Sequence, residues 1–123
     1  MNDTTLLLRQ IHPNFIHNGR VTSQAFTPTQ DNRQLSTYDG DQISAAAAFD
    51  HYTRQLQCRS IGVYAVRMDE CRELLLEVFA DPEPYPEHVV IDFGDRTANA
   101  IKTVGKALRE KAVTRGWLYG GKD

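Results

Sequence analysis

The stretch HVVIDFGDRTANAIKTVGKALREKAVTRG, residues 88–116, decides the fold. Its first six residues, His88 to Phe93, read as a strand with Val89, Val90 and Ile91 as the apolar centre, because β-branched side chains suit a pleated, buried surface. From Thr97 to Arg115 the pattern changes: Ile101, Val104, Leu108 and Ala112 recur at helical spacing, and Gly116 supplies a C-terminal stop. A strand followed by a helix with one apolar stripe has to bury both faces in a layered arrangement of sheet and helix. Gly105, in the middle of that helix, is expected to permit a close approach, since glycine there costs about 1 kcal/mol in helix propensity relative to alanine.

Working back from this unit, Asp81-Pro82-Glu83-Pro84-Tyr85-Pro86-Glu87 reads as a stiff acidic connector, because prolines at alternate positions remove donors and push their neighbours to extended geometry. Asp69 is placed to cap a short helix running through Leu75. Ser60 to Arg67 reads as a buried strand through Ile61, Val63, Tyr64 and Val66. Ser44, ahead of four alanines, is the strongest helix start, and that helix is expected to run to about Gln57. Leu35 to Tyr38 is a short strand stopped by Asp39-Gly40, and Thr27 to Gln34 is a polar loop. Thr4 to Ile11 is a first strand ended by Pro13. Asn18-Gly19 marks a turn, with Val21 to Phe26 as a short extended return. Trp117, Leu118 and Tyr119 are expected to fold back and seal the core.

The expected architecture is an α+β domain spanning 1–123. It consists of a small, mostly antiparallel sheet, from strands near residues 5, 36, 62 and 90, packed by the two main helices after Ser44 and after Arg96. A chain of 123 residues builds one core rather than two. The net charge of −2 gives no general affinity for polyanions. Apolar runs fall far short of the ~20 residues of a membrane span, and no secretory signal is read at the N-terminus, so the expectation is a cytoplasmic protein without a membrane partner. Cys58 and Cys71 lack zinc-ligand spacing and read as free, buried thiols.

Charge is uneven in the second half. Residues 69–95 carry nine acidic groups and one basic one, whereas residues 96–122 carry seven basic groups and one acidic one. Complementary packing of the two segments accounts for most of this. Lys102, Lys106 and Arg109 nevertheless share one helical stripe, opposite Ile101, Val104 and Leu108, that could meet an acidic partner. Three charges release few counterions, so nucleic acid is only weakly supported.

The segment from Arg9 to Asp41 is dense in polar groups and short of periodic structure, which in a small domain marks a functional surface when apolar residues hold it in place. Its candidate binding residues are His12, His17, Arg20, Asp39 and Asp41. Asp39 and Asp41 flank Gly40 as a tight turn would require, with Asp41 as a helix cap, although two carboxylates could also hold a cation. Pro13 prevents a helix from bringing His12 and His17 onto one face. No nucleophile elbow, phosphate-binding loop or dinucleotide fingerprint occurs, so ATP and dinucleotide chemistry are not expected, and no cofactor or resident metal is assigned.

The string Arg9-x-x-His12-Pro13, Thr22-Ser23-Gln24-Ala25-Phe26-x-Pro28, Leu35-Ser36-x-Tyr38-Asp39-Gly40-Asp41 resembles a family of small, uncharacterised bacterial proteins of similar length. The resemblance implies a stand-alone bacterial domain and assigns no catalytic residue. The expected function is therefore a small binding or accessory protein that recognises a macromolecular partner, a protein in the first instance, through its polar N-terminal segment. The competing expectation is a small metal-assisted hydrolase or nuclease-like enzyme using His12, His17, Asp39 and Asp41. Convergence of those four side chains separates the two.

Overall fold

The computed structural model describes residues 1–29 and 31–121; Gln30, in the expected polar loop, and Lys122, in the basic segment, lie outside them. Strands β1 (Leu6–Gln10), β4 (Gln34–Asp39), β5 (Gly62–Arg67), β6 (Glu77–Ala80), β7 (His88–Asp92) and β8 (Tyr119–Gly120) form one sheet in the order β6-β7-β4-β1-β5-β8. Every pairing in it is antiparallel. A separate two-stranded ribbon pairs β2 (Ile16–His17) with β3 (Arg20–Val21). Asn18 and Gly19 join these strands with φ of 53° and 77°, the double positive φ of a tight hairpin turn whose twist matches its strands. The fold is α+β.

Period-two alternation along each strand divides the core in two. Leu7, Leu35, Tyr64, Val66, Val89 and Ile91 face α3 (Ala98–Arg115), which contributes Ile101, Leu108 and Ala112. Thr97 caps α3 through its hydroxyl, which accepts from the amide of Ala100 at 3.2 Å. The opposite face carries Leu8, Tyr38, Val63 and Ala65 against α1 (Ala45–Asp50), with Phe49, Tyr52, Tyr85 and Leu118 around them. The segment after α3 returns to the sheet, with Trp117 and Leu118 half-buried against the core as expected and Tyr119 left exposed. Trp117 stacks on Tyr64 with centroids 4.0 Å apart, while Tyr119 pairs with Val63 as the added strand β8.

Several local readings are corrected by packing. Ser23–Phe26 is a single 3-10 turn and not an extended return, and it packs Ala25 and Phe26, both buried, into the core beside α3. The α-helix after Ser44 ends at Asp50, and His51–Gln55 continues as a π-turn that closes at Gln57, whose φ is 56°. Asp69 does not cap α2 (Met68–Glu73). Its carboxylate pairs with Arg67 at 2.7 Å, and Glu70 instead accepts from the Arg67 amide at 2.8 Å. Cys58 is exposed while Cys71 is buried, and both are free; burial first, then Glu70 and Asp69, pushes the Cys71 thiol up to about 12.

The charge asymmetry is partly internal. Arg115 of α3 donates to Glu70 at 2.7 Å and to the carbonyl of Ala65 at 2.8 Å, with both charged side chains mostly out of solvent. Arg96 donates to the carbonyls of Phe93, Leu74 and Leu75. Because Glu70 holds a helix amide and a guanidinium together, Glu70→Ala leaves two donors unpaired and is expected to lower unfolding stability by about 3 kcal/mol. Asp50→Ala, which opens the solvent-exposed pair with Arg54, is expected to cost no more than about 0.5 kcal/mol in the same denaturant titration.

Gly105 lies where α3 passes the loop after the 3-10 turn. A β-carbon there would come within 2.2 Å of the Thr27 hydroxyl, which is itself bonded to the Ser23 carbonyl. Gly105→Ala is therefore expected to destabilise despite a propensity gain of about 1 kcal/mol, since overpacking typically costs 1–3 kcal/mol. Adding Thr27→Ala should recover part of the loss in thermal unfolding.

Candidate functional site

The hairpin β2–β3 and the 3-10 turn lie along α3, held there by backbone acceptors as well as by apolar packing. The Arg109 guanidinium donates from Nε to the Val21 carbonyl at 2.7 Å, and Val21, Ala25 and Phe26 complete the core beneath. This docking brings His17 and Arg20 of the hairpin beside Lys106 and Arg109 of the helix, around a shallow concavity of about 390 Å³. Lys106 also borders a second hollow along the same helix, shared with Lys102, Phe15 and Thr27. His17, Arg20, Lys102 and Lys106 are all exposed. Arg109 is partly buried and its Nη1 pairs with Glu110 at 3.0 Å, so it acts as a strut more than a free cation.

The other candidates do not join this surface. His12 caps the 3-10 turn Pro13–Phe15, its Nδ1 accepting from the Asn14 amide at 3.0 Å. Asp39 is buried and accepts from the Asp41 amide and the Gln42 side chain, both at 2.8 Å. Asp41 accepts from the Thr5 hydroxyl and is not a helix cap; Ser44 caps α1. The turn reading of Tyr38-Asp39-Gly40-Asp41 describes what these residues do. Asp39 pairs with Leu7 near the start of β1, whereas His12 lies beyond its far end, a separation on the order of 15 Å at the usual strand rise. The four residues of the metal-assisted alternative share no first shell. Among the described residues no group of three or more His, Cys, Asp or Glu could hold a metal ion.

A second polar constellation lies where β1 and β4 part. These strands pair only at Leu7↔Asp39 and Leu8↔Tyr38, while β1 stays paired with β5 through Gln10. Continued pairing would give the Ser36 carbonyl to the backbone of Gln10. Arg9 takes it instead, donating from Nη1 to Ser36 at 3.0 Å and from Nε to the Ala25 carbonyl at 2.7 Å. Burial pushes this guanidinium below its ordinary value, with the nearby Tyr52 and Tyr85 acting in the opposite sense. Arg9 makes no ion pair among the described residues.

Around it the π-turn and the proline-rich connector place aromatic groups. The Tyr38 hydroxyl meets His51 Nδ1 at 2.8 Å, and the Tyr85 ring stacks on Tyr38 at 4.7 Å and contacts His51 and His88 edge-on. His88 Nδ1 faces the Asp81 carbonyl at 2.9 Å and therefore carries the hydrogen, which leaves Nε2 to accept from the Ser36 hydroxyl at 3.1 Å. The order hydroxyl, imidazole, carboxylate matches that of a nucleophile relay, but the Asp81 carboxylate stands 3.4 Å from Nδ1, farther than its own carbonyl, and is half exposed. The trio clamps β4 to β7.

Sequence reasoning placed neither Arg9 nor the tyrosines in a site. A strand arginine at mid-element and a tyrosine between two prolines are the signals that could have drawn attention to them. Comparison of the chain with protein-family models, with curated proteins and with solved structures finds no match in any of the three, so no family is added to the resemblance read from the sequence. No helix among the described residues is long and apolar enough to cross a membrane.

Burial raises the hydroxyls of Tyr38, Tyr52 and Tyr85, the last from 10.0 to about 12. Below pH 10 these groups are neutral in both states and contribute no pH dependence. From about pH 10 upward the unfolded chain ionises first, so stability should fall as pH rises towards 12. Denaturant midpoints measured from pH 8 to about 12 should show this decline, and Tyr85→Phe should flatten it.

Proposed function

We propose that this protein is a small binding or accessory protein that recognises an acidic segment of a protein partner through the surface where its N-terminal hairpin meets the last helix. The observation that supports this reading most directly is the convergence of His17 and Arg20, from the hairpin, with Lys106, from a helix more than eighty residues later, around one concavity. Chance exposure of scattered lysines does not require a common hollow.

The chemistry favours a protein segment over a nucleic acid. Arg20, Lys102 and Lys106 provide three exposed charges that carry no ion pair among the described residues, with His17 as a fourth basic group. Neutralising so few phosphates releases few counterions and gives weak affinity at physiological salt. Beside the lysines, Phe15 and Pro28 offer apolar contact, the combination an acidic peptide with hydrophobic residues can use. The metal-assisted alternative has no shared shell in which to operate.

The test is affinity purification from the native cell with the wild-type protein and with Arg20→Ala/Lys102→Ala/Lys106→Ala. Arg109 is left intact because it supports the hairpin. The expected result is a protein partner that is captured by wild type, released by salt and lost with the triple variant while the fold is retained. Equal capture by both proteins contradicts the proposal, and a nucleic acid recovered in place of a protein contradicts its choice of partner.

A further inference from the structure

The hollow beside Arg9 differs from the neighbouring basic surface in its chemistry, although Phe15, Thr27, Pro28 and Thr29 border both. It has a volume of about 490 Å³, within the range of small-molecule sites, and its walls include Ser36, Tyr52, Tyr85, Leu56 and Pro84. A guanidinium has five N–H donors, and Arg9 spends one on Ala25 and one on Ser36, so three have no protein partner among the described residues. Both protein partners are neutral carbonyls, which leaves the positive charge of Arg9 uncompensated.

We propose that this hollow is a binding site for a small organic carboxylate with a flat apolar body, its carboxylate held by the open fork of Arg9 and its body lying against Tyr52 and Tyr85. A single guanidinium matches one negative charge, and its planar fork matches the two oxygens of a carboxylate. The walls supply the apolar contact that gives such a ligand most of its burial. The inference does not depend on the acidic-partner reading, since Lys102 and Lys106 take no part in it.

The test uses benzoate, phenyl phosphate and the neutral isostere benzamide in calorimetric titrations of the full chain. Benzoate is expected to bind saturably and benzamide at least roughly tenfold more weakly. Arg9→Lys, which keeps the charge but not the fork, should weaken benzoate by a similar factor. Because that variant could lose the strand junction, amide chemical-shift mapping on the wild-type protein gives an independent reading. Shifts centred on Ser36, Tyr52 and Tyr85 support the site, and shifts centred on Lys102 and Lys106 overturn it. Equal binding of benzamide and benzoate, or no saturable response to any of the three, also overturns it. Phenyl phosphate binding tenfold tighter than benzoate overturns the assignment of a single-charge ligand.

Discussion

One arginine side chain stands where two strands should have met. β1 and β4 share only two residue pairs, and beyond them the Arg9 guanidinium, not a backbone amide, satisfies the Ser36 carbonyl. The same group reaches the carbonyl of Ala25 and so fastens the 3-10 turn to the sheet. Ser36 is exposed at this edge, and where β1 turns away the guanidinium takes the place that the Gln10 amide would hold in a continued ladder. Arginine suits the position because its donors diverge in a fixed plane and reach two acceptors at once.

Both surfaces of interest follow from that junction. The 3-10 turn carries the chain from the hairpin to the loop before β4, and its burial of Ala25 and Phe26 seats the hairpin against α3. There Arg109 completes the attachment, and His17 and Arg20 come to lie beside Lys106. On the other side of the same loop the strands diverge around Arg9, and the hollow lined by Tyr52 and Tyr85 opens. Phe15, Thr27, Pro28 and Thr29 border both this hollow and the one that holds Lys102, so a thin partition separates two different chemistries. One carries two lysines, the other a single arginine.

Much of this architecture was legible in the chain because it rests on local rules. The strand at Val89–Ile91, the helical stripe through Ile101 and Leu108, the serine cap at Ser44 and the Asn18-Gly19 turn each express a preference that tertiary packing reinforces. What escaped was decided by contacts distant in sequence. Glu77–Ala80 is short and mostly exposed and becomes a strand only because β7 offers it an edge. Ser23–Phe26 is set as a turn by its docking on α3, far along the chain. The π-turn after Asp50 is coupled to Tyr38, on another element, through His51. Among the candidate residues, the stripe and the hairpin cations could be named from spacing and composition, but their meeting depended on how the hairpin docks. Asp39 and Asp41 resembled ligands only until their turn and Thr5 claimed them. Arg9 could not be singled out, because nothing near it in sequence shows that β4 turns away.

The measurement that bears most directly on this account is side-chain nitrogen NMR of the Arg9 guanidinium in the intact protein. A guanidinium fixed to two backbone carbonyls should show a slowly exchanging Nε hydrogen and hindered rotation about its Nη groups, with both features lost on unfolding. An Nε hydrogen that exchanges as fast as that of Arg54, which stands in solvent, would contradict the claim that Arg9 closes the gap between the parted strands.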